Sequence, residues 1–265
     1  MIAALLTLAI VVTAPPVPAF GGITLGTQVS QTIAKRGNPA VSTTDVGTVW
    51  TWQRDDGTLR LTTDDDGNVR IIDLAPASSA DPVIVLPAPG HKHVAFNSTT
   101  ADAAKQSLSS FIDFDANAAF PDNGAPAELQ TYKLDESHEL ALLFDTTSHL
   151  LREAFYGERP ALARAGLLPD VAKTLPSFKA PVLQKLGAAD YDTPDQGVGY
   201  VRIAVNAAGG VSAATMYVSS GNVRLDRIAI ASAQHDQFEP ALRDGKPVAS
   251  VYFHREDFVN TTKPR

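Results

Sequence analysis

Hydrophobic and polar positions recur with readable periods along most of the chain, and the periods divide it into blocks. From Thr27 to Arg36, Val29, Ile33 and Ala34 fall on one helical face, with Thr27 placed as a cap and Gly37 as a stop. Asn38-Pro39 forbids continuation, because a proline ring disfavours helical geometry in the residue before it. Strand-like runs follow at 46–53, 58–63 and 68–74. Asp55-Asp56-Gly57 and Asp64-Asp65-Asp66-Gly67 separate them, and Asp-Gly is a favoured hairpin turn because Gly accepts positive φ. This predicts a helix-plus-antiparallel-meander unit over 20–75. Prolines 76, 82, 87 and 89 mark a linker over 76–97, with 83–86 able to add an edge strand. The block 98–156 allows a second such unit, with a helix at 99–110 and strands at 128–133, 139–145 and 150–156. A Pro-punctuated connector covers 157–196; Pro160 suits the first turn of a short helix ending before Gly166, and 170–175 a further turn.

The last block, 197–260, has the sharpest pattern. Val201, Ile203 and Val205 alternate with Arg202, Ala204 and Asn206, which predicts a strand with one buried face. Ala207-Ala208-Gly209-Gly210 turns the chain into a second strand, 211–218. Ser219-Ser220-Gly221-Asn222 offers cap oxygens to a helix on which Leu225, Ile228, Ala229 and Ser232 share a face. Phe238-Glu239-Pro240 ends it, Asp244-Gly245 turns, and a third strand spans 248–254.

The N-terminus reads as an export signal. Residues 2–12 are apolar apart from Thr7, and small residues up to Ala19 suit cleavage there. The run is about half the ~20 residues that a membrane span needs. No Lys or Arg precedes it, the first basic residue being Lys35, so a retained short anchor is the alternative.

Composition narrows the chemistry. The 265 residues are 44% hydrophobic and 19% charged, which supports a folded core. The net charge of −7 argues against a nucleic-acid partner. Residues 197–265 carry +2 and the remainder −9, a split that fits protein binding. The absence of cysteine removes disulfides, thiolate metal ligands and cysteine nucleophiles.

Candidate chemistry is thin. Asp64-Asp65-Asp66-Gly67 lacks calcium-loop spacing; Asp113, Asp115 and Asn117 alternate correctly, but Ala118 and Gly124 stand where Gly and Glu are needed. His91 and His93 have no third ligand, and His235, Asp236 and Glu239 read as a helix end. Ser219-Ser220-Gly221 is no nucleophile elbow, which needs Gly-x-Ser-x-Gly. The expectation is no catalytic residues, metal or cofactor. Trp50 and Trp52 share a strand face, as core or as a protein-binding patch.

Residues 201–211, then Tyr217-Val-Ser-Ser-Gly, Leu225-Asp226, Phe238-Glu-Pro-Ala, Asp244-Gly-Lys-Pro-Val and Phe258, resemble the C-terminal domain of the TonB family. Over about 60 residues the order matches strand, Gly turn, strand, Ser-Ser-Gly, Leu-Asp, helix, Phe-x-Pro-Ala, Gly-x-Pro-Val and strand. The resemblance implies hairpins packed against one helix. It also implies capture of an extended transporter peptide by β-strand addition. The peptide would dock on the strand 248–254, through Val248, Ser250, Tyr252 and His254; Trp50 and Trp52 are a separate candidate partner contact on the front unit. Ile23-Thr-Leu-Gly-Thr, Arg36-Gly-Asn-Pro, Trp50-Thr-Trp and Asp66-Gly-Asn-Val more faintly resemble β-lactamase-inhibitor-like and SmpA/OmlA-type units, which bind envelope proteins. The expectation is therefore an α+β protein of two domains: one or two helix-plus-meander units and a TonB-like domain. It is exported to a Gram-negative-type periplasm and binds an envelope protein. The alternative is a membrane-anchored energy transducer partnered by an ExbB/ExbD-like motor.

Overall fold

The computed structural model describes residues 20, 22–55, 57–76, 83–85, 93–109, 111–116, 127–187 and 194–259. The leader, His91 and Asn117 lie outside them, and the side chains of His93, Asp113 and Asp115 are not described.

Helix α1 (Val29–Arg36) opens a four-strand meander of β1 (Ala40–Thr44), β2 (Gly47–Arg54), β3 (Gly57–Thr63) and β4 (Val69–Pro76). The ribbon β5 (Val83–Val85) and β6 (His93–Ala95) leads to α2 (Ala101–Ser107). A second meander follows: β7 (Ile112–Ala116), β8 (Ala127–Lys133), β9 (His138–Asp145) and β10 (Leu151–Glu158). The expected connector carries α3 (Arg159–Arg164), α4 (Pro169–Ala172), β11 (Phe178–Lys179) and β12 (Val182–Lys185). The last block forms β13 (Gly197–Val205), β14 (Val211–Val218) and α5 (Val223–Ala233), then β15 (Gln237–Glu239), β16 (Ala241–Arg243), β17 (Lys246–Val248) and β18 (Ser250–Phe258).

The two meanders form one eight-stranded antiparallel sheet, ordered β1-β2-β3-β4-β10-β9-β8-β7. They join where β4 pairs β10, with Ile72 opposite Tyr156 and Leu74 opposite Ala154. Helices α1 and α2 cover one face through Val29, Ile33, Ala104 and Leu108. Helix α3 and the chain after it cover part of the other, where Leu162 and Leu167 meet Ile71, Leu129 and Leu143. Burial on both faces explains why β9 reads as a nearly unbroken apolar run.

Local chemistry differs from expectation at α1. Gln28, not Thr27, takes the cap position without a side-chain cap bond, and the Thr27 hydroxyl donates to the Thr24 carbonyl at 2.6 Å. Thr100 caps α2 by accepting from Ala103 N–H at 3.2 Å. Asp64 is spent on its hairpin: one carboxylate oxygen accepts from the N–H groups of Asp66 and Asn68, and the other from Arg70 Nε at 3.0 Å. Asp244 and Gly245 both have positive φ, 49° and 74°, the geometry of the tight hairpin joining β16 and β17.

The last three-stranded sheet is ordered β14-β13-β18. Val201, Ile203 and Val205 face Leu225, Ala229 and Ala233 of α5. Its opposite face is covered over the part that carries the aromatic residues. Tyr200 and Phe253 lie 5.4 and 5.3 Å, ring centroid to centroid, from Trp50 of β2, and Tyr217 lies 6.0 Å from it. The Tyr200 hydroxyl and Arg255 Nη1 both donate to the Pro39 carbonyl, at 3.0 and 2.8 Å.

The expected fold class is therefore corrected. The described residues are mostly antiparallel sheet, 51% strand and 18% helix, organised around one large sheet rather than hairpins on a single helix. The physical reason is the aromatic set on the second face of β13, β14 and β18. It cannot be left in water, and the first meander supplies its cover.

Candidate functional site

The residues expected to meet a partner do not form one surface. Trp50 is 0% exposed and donates Nε1–H to the Thr63 hydroxyl at 3.0 Å; Trp52 is 4% exposed and donates to the Gly37 carbonyl at 2.8 Å. Both pin the chain around β2, and neither offers a face to another molecule. The expected strand 248–254 divides at Ala249. Val248 ends β17 opposite Ala241, in a different sheet from β18. Ser250, Tyr252 and His254 sit in β18 opposite Val205, Ile203 and Val201, on the face toward α5. All three are half-buried, and Tyr252 packs on Phe238 at 5.1 Å. β1 lies against β18, with Arg255 reaching the Pro39 carbonyl.

The structure assembles one acidic cluster that the sequence only half indicates. Asp236 is 4% exposed, and one carboxylate oxygen accepts from Gly187 N–H at 2.7 Å. Burial pushes its pKa up against that hydrogen bond and the nearby His254. Glu256 lies 3.4 Å from His254 Nε2, and burial again raises its pKa, helped by Asp236 and Asp257. His254 and Glu256 share a strand face, which spacing alone could have found; Asp236 comes from the far side of α5. Glu239 pairs Lys179 at 2.9 Å instead. Among the described residues no group of three or more His, Asp or Glu is placed to hold a metal.

Comparison with known proteins gives little at the level of family. No protein-family model matches the chain. No curated protein matches it either. Among solved structures it is similar to a cysteine-rich secretory protein from Staphylococcus aureus, at 13% identity and a TM-score of 0.38 over 56% of this chain and 49% of that one. It is also similar to an extracellular protein containing an SCP domain from Bacillus anthracis, at 14% identity and a TM-score of 0.36 over 60% of this chain and 52% of that one. The chain thus spans about half the length of each. The expected membership of the TonB family is corrected, and the energy-transducer description goes with it: no family model matches the chain. No helix among the described residues is long and apolar enough to cross a membrane.

A strand edge is the remaining interaction feature. β14 pairs with β13 on one side, and among the described residues no strand pairs with its other side. Ser212, Ala213 and Thr215 are exposed there. Its sequence, VSAATMYV, holds no charge and no proline. Exposed edges are ordinarily blunted by Lys, Pro, short length or bulges. β14 has eight residues and register irregularities at either end of its pairing; between them Ala213–Met216 run regularly against Val201–Ala204. The seating beneath is firm: α5 backs the strand, and the Tyr217 hydroxyl donates to Gln28 Oε1 at 2.8 Å.

The Ser219-Ser220-Gly221 motif after β14 is structural. Ser219 and Ser220 hydroxyls donate to Asp226 at 2.6 and 2.7 Å, while Asn222 accepts from Arg224 N–H at 2.9 Å. Burial disfavours the Asp226 carboxylate, but these hydrogen bonds outweigh it and hold its pKa below the usual value.

Proposed function

We propose that the protein is a binding module that takes up an extended segment of another exported protein by β-strand addition along β14. The single observation that carries this reading is the uncharged, proline-free outer edge of Val211–Val218. Such an edge presents backbone donors and acceptors to an incoming strand, while the exposed Ala213 and Thr215 leave room for its side chains. The apolar leader supports export, with the periplasm as the expected compartment. The edge differs from the strand 248–254 first expected, because β18 lies against β1 and turns Tyr252 and His254 toward α5.

The test is a displayed peptide library selected on the full chain, followed by amide-shift mapping of an enriched peptide. Expected are shifts concentrated on 211–218, and loss of binding in Ala213→Glu and Thr215→Glu with the melting temperature unchanged. Mapping to another surface, or binding that survives both substitutions, would overturn the reading.

A further inference from the structure

A cavity of about 560 Å³ opens between the last turns of α1, the 22–27 loop and the end of β2. Lys35, Arg36 and Arg54 line it together with Thr24, Thr27 and Gln31, and among the described residues no carboxylate lines it. In a chain of net charge −7, three cations converging on one concavity are a local inversion of sign. The α1 macrodipole accounts for part of this, since Lys35 and Arg36 stand in its last turn, where a cation stabilises the helix. It does not account for Arg54, which arrives from a different element. Among the described residues neither Lys35 nor Arg54 makes an ion pair, so both charges are available to a ligand.

The walls are built before any ligand arrives. Val29 and Ile33 anchor α1 in the core, and Thr32 is 7% exposed. The end of α1 is fastened to β2 twice: Trp52 Nε1 donates to the Gly37 carbonyl at 2.8 Å, and Arg54 Nη2 to the Arg36 carbonyl at 3.1 Å. The second bond holds the Arg54 guanidinium beside the last turn of the helix. An anion entering between Arg54 and Lys35 relieves the repulsion between them, and the Arg54 guanidinium is already held in place.

We propose that this cavity binds a small phosphorylated molecule. The donor set fits a tetrahedral dianion: the Arg54 guanidinium fork and the Lys35 ammonium for the charged oxygens, with threonine and glutamine groups for the remainder of the ligand. The volume falls in the range of small-molecule sites and exceeds what inorganic phosphate alone would fill. The site is separate from the β14 edge and does not depend on it.

The experiment is an amide-shift titration of the full chain with glycerol 3-phosphate, inorganic phosphate and citrate at constant ionic strength. Expected are saturable shifts at Thr24, Gln31 and Lys35, with glycerol 3-phosphate bound more tightly than phosphate. Lys35→Gln and Arg54→Gln should each weaken binding by roughly tenfold, as loss of a charged hydrogen bond does. Both side chains are exposed, so unchanged tryptophan fluorescence and melting temperature show that the variants fold. Flotation with phosphatidic acid vesicles separates the sources: retention lost in the two variants assigns a lipid headgroup, and binding of the free ester without retention assigns a solute. Citrate binding more tightly than glycerol 3-phosphate, shifts that grow linearly without saturation, or equal binding by both variants would overturn the proposal.

Discussion

Replacing Phe253 by alanine tests whether the last sheet and the first meander are one cooperative body. Phe253 is 2% exposed, and its ring lies 5.3 Å from Trp50 and 5.0 Å from Tyr217. Truncating a buried Phe costs about 3–5 kcal/mol, from lost transfer energy and the cavity left behind. The tight aromatic surroundings, which cannot collapse without moving β2, place the value in the upper half of that range. With a urea m-value of about 3 kcal/mol/M, the midpoint should fall by about 1.3–1.7 M. The assay is urea unfolding followed by tryptophan fluorescence. Both tryptophans of the chain, Trp50 and Trp52, sit in β2, more than 200 residues before the substituted position. The probe therefore reports the first meander while the lesion sits in β18. If the two regions share a core, the fluorescence midpoint falls by the full amount and coincides with the far-ultraviolet circular dichroism transition. A fluorescence midpoint that stays put, with an earlier separate step in circular dichroism, would refute the shared core.

Three further predictions concern single contacts. Gly67→Ala forces a side chain into φ of 82° and drives its Cβ into the Tyr217 hydroxyl, so stability should drop by about 1–3 kcal/mol with a matching loss of melting temperature. Tyr200→Phe removes a buried hydrogen bond to the Pro39 carbonyl and should cost about 1 kcal/mol by denaturant unfolding, because Arg255 still satisfies that carbonyl. Burial raises the Asp236 pKa, so the folded state holds the proton more tightly than the unfolded one. Its contribution is therefore most favourable below the unfolded value of 3.8 and declines as pH rises through the folded pKa. Asp236→Asn should flatten that decline in stability measured from pH 4 to 7; an unchanged slope would show that Asp236 is not its source.

Much of the local structure was legible because it depends on neighbours in sequence. Period-2 alternation marked β13, strand-like runs between turn residues marked β2, β3, β4 and β14, the i, i+3, i+4 spacing marked α5, and Asp-Gly pairs marked hairpins at Gly67 and Gly245. β1 went unmarked because its short run AVSTT is half-exposed and carries one large apolar residue. The Ser-Ser-Gly motif was legible as cap chemistry, since its partner Asp226 is only a few residues away. The candidate binding features were less so. The absence of charge in Val211–Val218 can be read from the letters, but that no strand covers its outer edge cannot. Lys35 and Arg36 can be placed at a helix end, but Arg54 joins them only through the packing of β2 on α1.

The sequence by itself determined the longer strands of both meanders, the hairpin of β13 and β14, and helix α5, because those choices are settled within a turn or a hairpin. Only the tertiary structure decided what covers the second faces. Pairing of β4 with β10 merged two meanders into one sheet, and Trp50 accepted Tyr200 and Phe253 from 150 or more residues away. An aromatic side chain signals that it must be buried, but burial is non-directional and names no partner. That choice rests on which apolar surfaces the chain can bring together, and here it settled the two tryptophans as core rather than as a binding patch.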